Sequence, residues 1–174
     1  MPHVLLTGMT ESGKTTLAKA IAAEQKKSER GVIVLDPMQT VWDCDFQTDD
    51  AGKFLQVVWA NQDCDVFIDE AGFAVGHFNK LMEQLATQGR HYAVRNGTYG
   101  GGHNCYFICQ RAKMISPTVR TQCRILFAFH QAREDAEILA REYGYDELLE
   151  CSALAQGEYF QVQRFNGVTK GRIF

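Results

Sequence analysis

Gly8-Met9-Thr10-Glu11-Ser12-Gly13-Lys14-Thr15 decides how the rest of this chain reads. The stretch satisfies the pattern G-x-x-x-x-G-K-[ST] at every fixed position. Its glycines permit backbone angles that turn successive N–H groups inward, where they meet phosphate oxygens. Lys14 is placed to reach the outer phosphates, and the Thr15 hydroxyl to hold Mg²⁺. Neighbouring sequence separates a working loop from a chance match. His3–Thr7 (HVLLT) is a short apolar run that reads as a strand entering the loop. From Lys14 to Lys27, Leu17, Ala20, Ile21 and Glu24 recur at helical spacing. Strand, glycine loop and helix thus follow one another directly. The helix N-terminus adds its own partial positive charge beside the phosphates. The expected nucleotide contacts run from Gly8 through Met9, Thr10, Glu11, Ser12, Gly13, Lys14 and Thr15 to Thr16.

A second element completes this chemistry. Val66-Phe67-Ile68 is a buried strand closed by Asp69-Glu70. In a phosphate-loop ATPase an acid at such a strand end holds Mg²⁺, usually through water, and Asp69 is the candidate. The next acid, Glu70, is the candidate general base that polarises the attacking water. Adjacent residues on a strand point opposite ways, so both reach one ligand only if the backbone turns at the strand end. A second glutamate also bears on reaction type. Transfer of phosphate to a bound acceptor needs no water-activating acid here, whereas hydrolysis does.

Outward from these two motifs the chain alternates. Val32–Leu35 (VIVL) reads as a strand ended by Asp36-Pro37, and Cys105–Cys109 (CYFIC) as another ended by Gln110-Arg111. Ile125–Phe129 (ILFAF) is a further strand. Val57–Trp59 reads as a short strand, and residues 38–53 show no period. Helical spacing covers residues 78–88 and Arg133–Tyr143, the latter stopped by Gly144. Ser116-Pro117 opens a short helix with serine at the cap. Residues 89–103 read as a loop. Glu158–Phe165 and Val168–Phe174 flank Asn166-Gly167, a hairpin turn signal. Strands alternating with helices predict an α/β fold: one domain over residues 1–174, with a mainly parallel sheet covered on both faces. The C-terminal hairpin is expected to add antiparallel strands at an edge.

Composition narrows the class. A chain of 174 residues suits one α/β domain with a real core. The formal net charge of −3 advertises no global affinity for nucleic acid, although a few basic residues facing a pore would escape such a sum. The six cysteines, Cys44, Cys64, Cys105, Cys109, Cys123 and Cys151, include no C-x-x-C pair, and no histidine cluster has zinc spacing. They read as small buried hydrophobes in a reducing compartment. No signal peptide opens the sequence, and no apolar run reaches the ~20 residues of a membrane helix. A soluble intracellular protein is expected.

The order GMTESGKT, VIVLDP, VFIDE and a strand CYFIC closed by glutamine resembles the FtsK–HerA superfamily of DNA-pumping ATPases. The small size is most similar to the genome-packaging ATPases of tailless, membrane-containing viruses. The resemblance runs from about His3 to Gly144. It implies ATP and Mg²⁺ as ligands and double-stranded DNA, the viral genome, as partner. It implies a homo-oligomeric ring, a hexamer, and contact with capsid or membrane vertex proteins. The setting it implies is the host cytoplasm or the virion. Gln110 matches the glutamine that senses the γ-phosphate in that family. Arg90, in Gln88-Gly89-Arg90, matches its arginine finger, with Arg95, Arg120 and Arg124 as rivals. Stabilising transition-state charge from a neighbouring subunit is worth a rate factor of about 10³–10⁵. The segment from His91 to His103, with Arg95, Tyr92 and Tyr99, is longer than the usual link and offers groups for phosphate contact and base stacking. Neither the DNA-guiding domain nor the N-terminal barrel common in this superfamily is recognisable. Three other readings compete: an ATPase for virion assembly or secretion, a small phosphate-loop kinase, and a nucleotide-gated switch.

Overall fold

The computed structural model describes residues 3–74, 80–89 and 102–174, with backbone only at 74, 81 and 82. Among them eight strands form one sheet in the order β3-β2-β4-β5-β1-β6-β7-β8. In chain order these are β1 (His3–Thr7), β2 (Val32–Leu35), β3 (Phe46–Thr48), β4 (Asp65–Ile68), β5 (Asn104–Cys109), β6 (Cys123–Phe129), β7 (Glu158–Gln163) and β8 (Gly167–Arg172). The first six pair in parallel. β7 pairs antiparallel with β6, and β8 with β7, as the hairpin expectation required. The reversal falls slightly earlier than Asn166-Gly167. Gln163 pairs with Gly167, so Arg164, Phe165 and Asn166 make the connection, with Phe165 in the left-handed region.

Alternation along the central strands explains two cores. Leu5, Ile33, Val66, Ile68, Cys105, Phe107 and Cys109 face one side; Val4, Leu6, Val34, Phe67, Tyr106 and Ile108 face the other. The first side is covered by α2 (Ala51–Ala60), α3 (Ala71–Ala74), α4 (Lys80–Gln88), α5 (Pro117–Gln122) and α6 (Arg133–Tyr143). The second is covered by α1 (Lys14–Lys26), through Ala18 and Ala22, with Trp42 beside it. Apolar runs without polar alternation are what a parallel sheet buried on both faces demands. The cysteines keep to this plan: five are buried, Cys44 is half-buried, and all six are free thiols.

One expected strand is a helix. Val57–Trp59 lies inside α2, because the Asp50 carboxylate caps it, accepting from the Lys53 N–H at 2.9 Å. Phe54 and Val58, four residues apart, then share its buried face. Ser116 caps α5 as expected, with Pro117 at the first turn, and Gly144 ends α6 in the left-handed conformation. The expected helix start near residue 78 lies outside the described residues. Within them no helix is long and apolar enough to cross a membrane.

Candidate functional site

The sheet order sets the site. β1 and β4 flank β5, and all three run the same way. Their C-terminal ends therefore bring together the glycine loop, Asp69-Glu70 and Gln110, although 40 residues separate Glu70 from Gln110. In open parallel sheets ligands settle at this edge. A recess of about 100 Å³ is lined there by Thr10, Lys14, Thr15, Asp69, Glu70 and Gln110, among others.

The loop is tied down from several directions. The Gly8 N–H donates to the Cys109 carbonyl at 3.3 Å and the Met9 N–H to the His130 carbonyl at 2.7 Å. Glu11 holds a left-handed φ of 62°, and Gly13 a φ of 108°. A β-carbon on Gly8 would come within 2.6 Å of the Phe129 β-carbon, so the loop packs tightly against the end of β6. The Ser12 hydroxyl is buried with no hydrogen-bond partner among the described residues. A buried orphan hydroxyl in such a loop fits an anionic ligand that would complete it.

Lys14 is almost wholly buried, and its ammonium donates to the Met9 carbonyl at 2.8 Å. Burial pulls its pKa below the ordinary lysine value, against the opposing charges of Glu70 and Asp69. The Thr15 hydroxyl lies 3.5 Å from Asp69 Oδ2. Asp69 is 8% exposed, and burial raises its pKa above the usual carboxylate value. Its Oδ1 accepts from the Glu70 N–H at 2.9 Å. Glu70 has a φ of 51°, a left-handed turn that takes the second acid out of the strand's alternation and into the same recess. Gln110 Nε2 then donates to Glu70 Oε1 at 3.0 Å and Oε2 at 3.3 Å.

The oxygens of Thr15 and Asp69 are hard donors facing one another, which fits Mg²⁺. That ion usually takes one or two protein oxygens, and phosphate and water supply the rest. Among the described residues no group of three or more His, Cys, Asp or Glu is placed to hold a metal. A closed structural metal site is therefore not what these side chains form.

The arginines sort differently. Arg90 and Arg95, with the rest of residues 90–101, lie outside the described residues. Arg120 is committed internally: it pairs with Glu142 at 2.6 Å and donates to the carbonyls of Ala112 and Ile115. At 5% exposure it is not free to reach a neighbouring subunit. Arg124 lies over the Phe165 ring, at the start of β6 and so at the opposite end of the sheet from the glycine loop.

Sequence reasoning missed the C-terminal side of the site. The Gly157 N–H donates to the Ser12 carbonyl at 3.2 Å, and Gln156 Nε2 to the Glu11 carbonyl at 3.1 Å. A β-carbon on Gly13 would collide with Ile173. No local pattern marks these residues, since the contacts join opposite ends of the chain.

No known family model matches the sequence, and no curated protein matches it. Solved structures do. The genome packaging NTPase B204 from Sulfolobus turreted icosahedral virus 2, in complex with ATP-gammaS, superposes with a TM-score of 0.78. It is 15% identical, over 99% of this chain and 98% of that one. The conjugation coupling protein TcpA of pCW3, in monomer form with ATPgS, matches with a TM-score of 0.70 at 16% identity. That match covers 99% of this chain and 60% of TcpA. The N-terminal domain of zonular occludens toxin from Neisseria meningitidis reaches 0.60 at 14% identity, over 100% and 94% of the two chains. At these identities the likeness establishes the fold: a phosphate-loop nucleoside triphosphatase architecture with an added antiparallel hairpin.

Proposed function

We propose that this chain is an ATP-hydrolysing DNA translocase that works as a homo-oligomeric ring, a hexamer, and packages a viral genome. Residues 1–174 would act as one ATPase domain, in the host cytoplasm or on the virion, against capsid or membrane vertex partners. The observation that carries the hydrolytic part is the Gln110–Glu70 hydrogen bond beside Lys14 and Asp69. A carboxylate positioned in this way can take the proton of an attacking water, which a site that only binds a nucleotide does not need. The translocase part draws on likeness in fold to B204, a genome packaging NTPase, along almost the full length of both chains.

In this reading the loop N–H groups and the Lys14 ammonium cradle the β- and γ-phosphates. Bound Mg²⁺, held by Thr15 and Asp69, would neutralise charge that develops on the phosphate oxygens. Glu70 accepts a proton from the attacking water as that water's oxygen bonds to the γ-phosphorus. The bond from the γ-phosphorus to the bridging oxygen breaks, and ADP leaves with the electron pair. Gln110 orients the Glu70 carboxylate and, once the γ-phosphate is present, can donate to it instead. Arg90 is the proposed finger that a neighbouring subunit inserts.

The test is ATP hydrolysis with and without double-stranded DNA, across protein concentrations high enough to assemble rings, with Glu70→Gln alongside. Stimulation by DNA that the variant lacks is the expected result. Hydrolysis indifferent to DNA throughout would defeat the translocase reading and leave the nucleotide site standing.

A further inference from the structure

The recess at Asp69 and Glu70 accounts for phosphates and metal but leaves the nucleoside without a seat. A second hollow, of about 420 Å³, adjoins it and shares Glu11, Lys14 and Thr15. Its remaining wall includes Gly13, Thr16, Gln156 and Phe174. None of these comes from β4 or β5, so the hollow lies beyond the acid pair and along the start of α1. A nucleotide whose phosphates sit in the glycine loop can direct its base toward this side, along the start of α1.

We infer that Phe174 is the platform on which the nucleobase stacks. The inference rests on the nucleotide reading above. The ring is 59% exposed, and Phe174 is the aromatic residue among those that line the hollow. It is also held in place. A β-carbon on Gly157 would come within 2.7 Å of the ring, so the ring lies close against the Gly157 backbone, and Gly157 has a φ of 80° that suits glycine. The Ile173 N–H donates to the Gly157 carbonyl at 3.1 Å, and the Gly157 N–H to the Ser12 carbonyl at 3.2 Å. Two backbone hydrogen bonds therefore tie Ile173, the residue before the ring, through Gly157 to the phosphate loop. Gln156, through its bond to the Glu11 carbonyl, closes the same edge. An exposed aromatic face at a set distance from a phosphate cradle is the arrangement that base stacking uses, and stacking tolerates any base.

The test compares two probes, ATPγS and inorganic tripolyphosphate, which carries the phosphates without a base. Phe174→Ala is expected to weaken ATPγS binding about tenfold or more while tripolyphosphate binding stays within about twofold. Phe174→Trp is expected to keep ATPγS binding, and its added indole fluorescence to respond to ATPγS and not to tripolyphosphate. Unchanged ATPγS affinity in Phe174→Ala overturns the inference. So does an equal loss of both probes, because that would make the ring a support for the loop. If the unaltered protein binds both probes equally well, the base has no seat and only the phosphate reading survives. If it binds neither, the nucleotide reading itself falls and takes this one with it.

Discussion

Gln110 and Glu70, at the ends of adjacent strands, meet through one amide nitrogen that reaches both carboxylate oxygens. The bond fixes the direction in which the acid points before any ligand arrives. Glu70→Gln keeps the size of the side chain and removes its capacity to take a proton. Hydrolysis should fall about 10²–10⁴-fold, while ATPγS affinity, read by calorimetry, should stay within about twofold. Gln110→Ala should cost less, about 10–100-fold in turnover, the worth of a hydrogen bond to a charged group. An undiminished rate in Glu70→Gln would remove the general base from the mechanism.

Lys14 is buried with its charge, which the fold resists. Its pKa in the folded protein lies below the unfolded value, so the charged form costs stability at neutral pH. That cost fades as pH rises from the lowered value toward the ordinary lysine value. Lys14→Met should therefore leave the ligand-free protein at least as stable in thermal unfolding at pH 7. It should also abolish the rise in Tm that ATP gives the unaltered chain. A large drop in the ligand-free Tm would show that the ammonium contributes to the fold.

Asp69 carries the opposite sign. Burial, supported by the charges of Asp36 and Glu70, holds its carboxyl above the ordinary range, against the Glu70 N–H and Lys14. Protonation then favours the fold, and the ionised form that a metal needs is reached only at higher pH than for a free carboxylate. The Mg²⁺-dependent tightening of ATPγS binding should fade on acidification while ordinary carboxylates are still ionised. Asp69→Asn should remove it at every pH, which a titration with and without Mg²⁺ would reveal.

Asp36 shows that a motif residue can do structural work. Its carboxylate is fully buried and accepts from the Met38 and Thr40 N–H groups, the Thr40 hydroxyl and Trp42 Nε1, all within 2.9 Å. Burial pushes its pKa up, but the four hydrogen bonds outweigh that and hold it below the usual value. The stability it supplies is present above the unfolded pKa and is lost as pH falls through the folded one. Asp36→Ala should cost about 2–4 kcal/mol in urea unfolding and should shift Trp42 fluorescence. Neutral behaviour would mean that the loop after β2 has other supports.

These residues also mark what the sequence made legible. β1, β2, β4, β5 and β6 were readable because strands buried on both faces leave unbroken apolar runs. The acid pair was readable from its place at a strand end, whereas Gln110 stood out only through the family resemblance. α2 was not, since Val57, Val58 and Trp59 favour strands in isolation; the Asp50 cap and the burial of Phe54 with Val58 decide otherwise. Arg120 looked as available as any arginine, because its partner Glu142 is 22 residues away. Phe174, Gln156 and His130 were invisible as site residues, since the order of strands in the sheet, which brings β6 and β7 beside β1, is written nowhere in local pattern.

The bond from Gln156 to the Glu11 carbonyl spans 145 residues, and the Gly157–Ser12 bond lies next to it. A segment that looks locally encoded is thus finished by residues that emerge about 145 positions after it during synthesis. Loop closure on that scale comes late, because its entropy is lost before the contacts repay it. Nascent chains short of β7 would carry the whole motif yet hold its ligand poorly. Competence to hold a phosphate ligand would then report that the segment before β7 has docked, and chains still lacking it would be kept from engaging one.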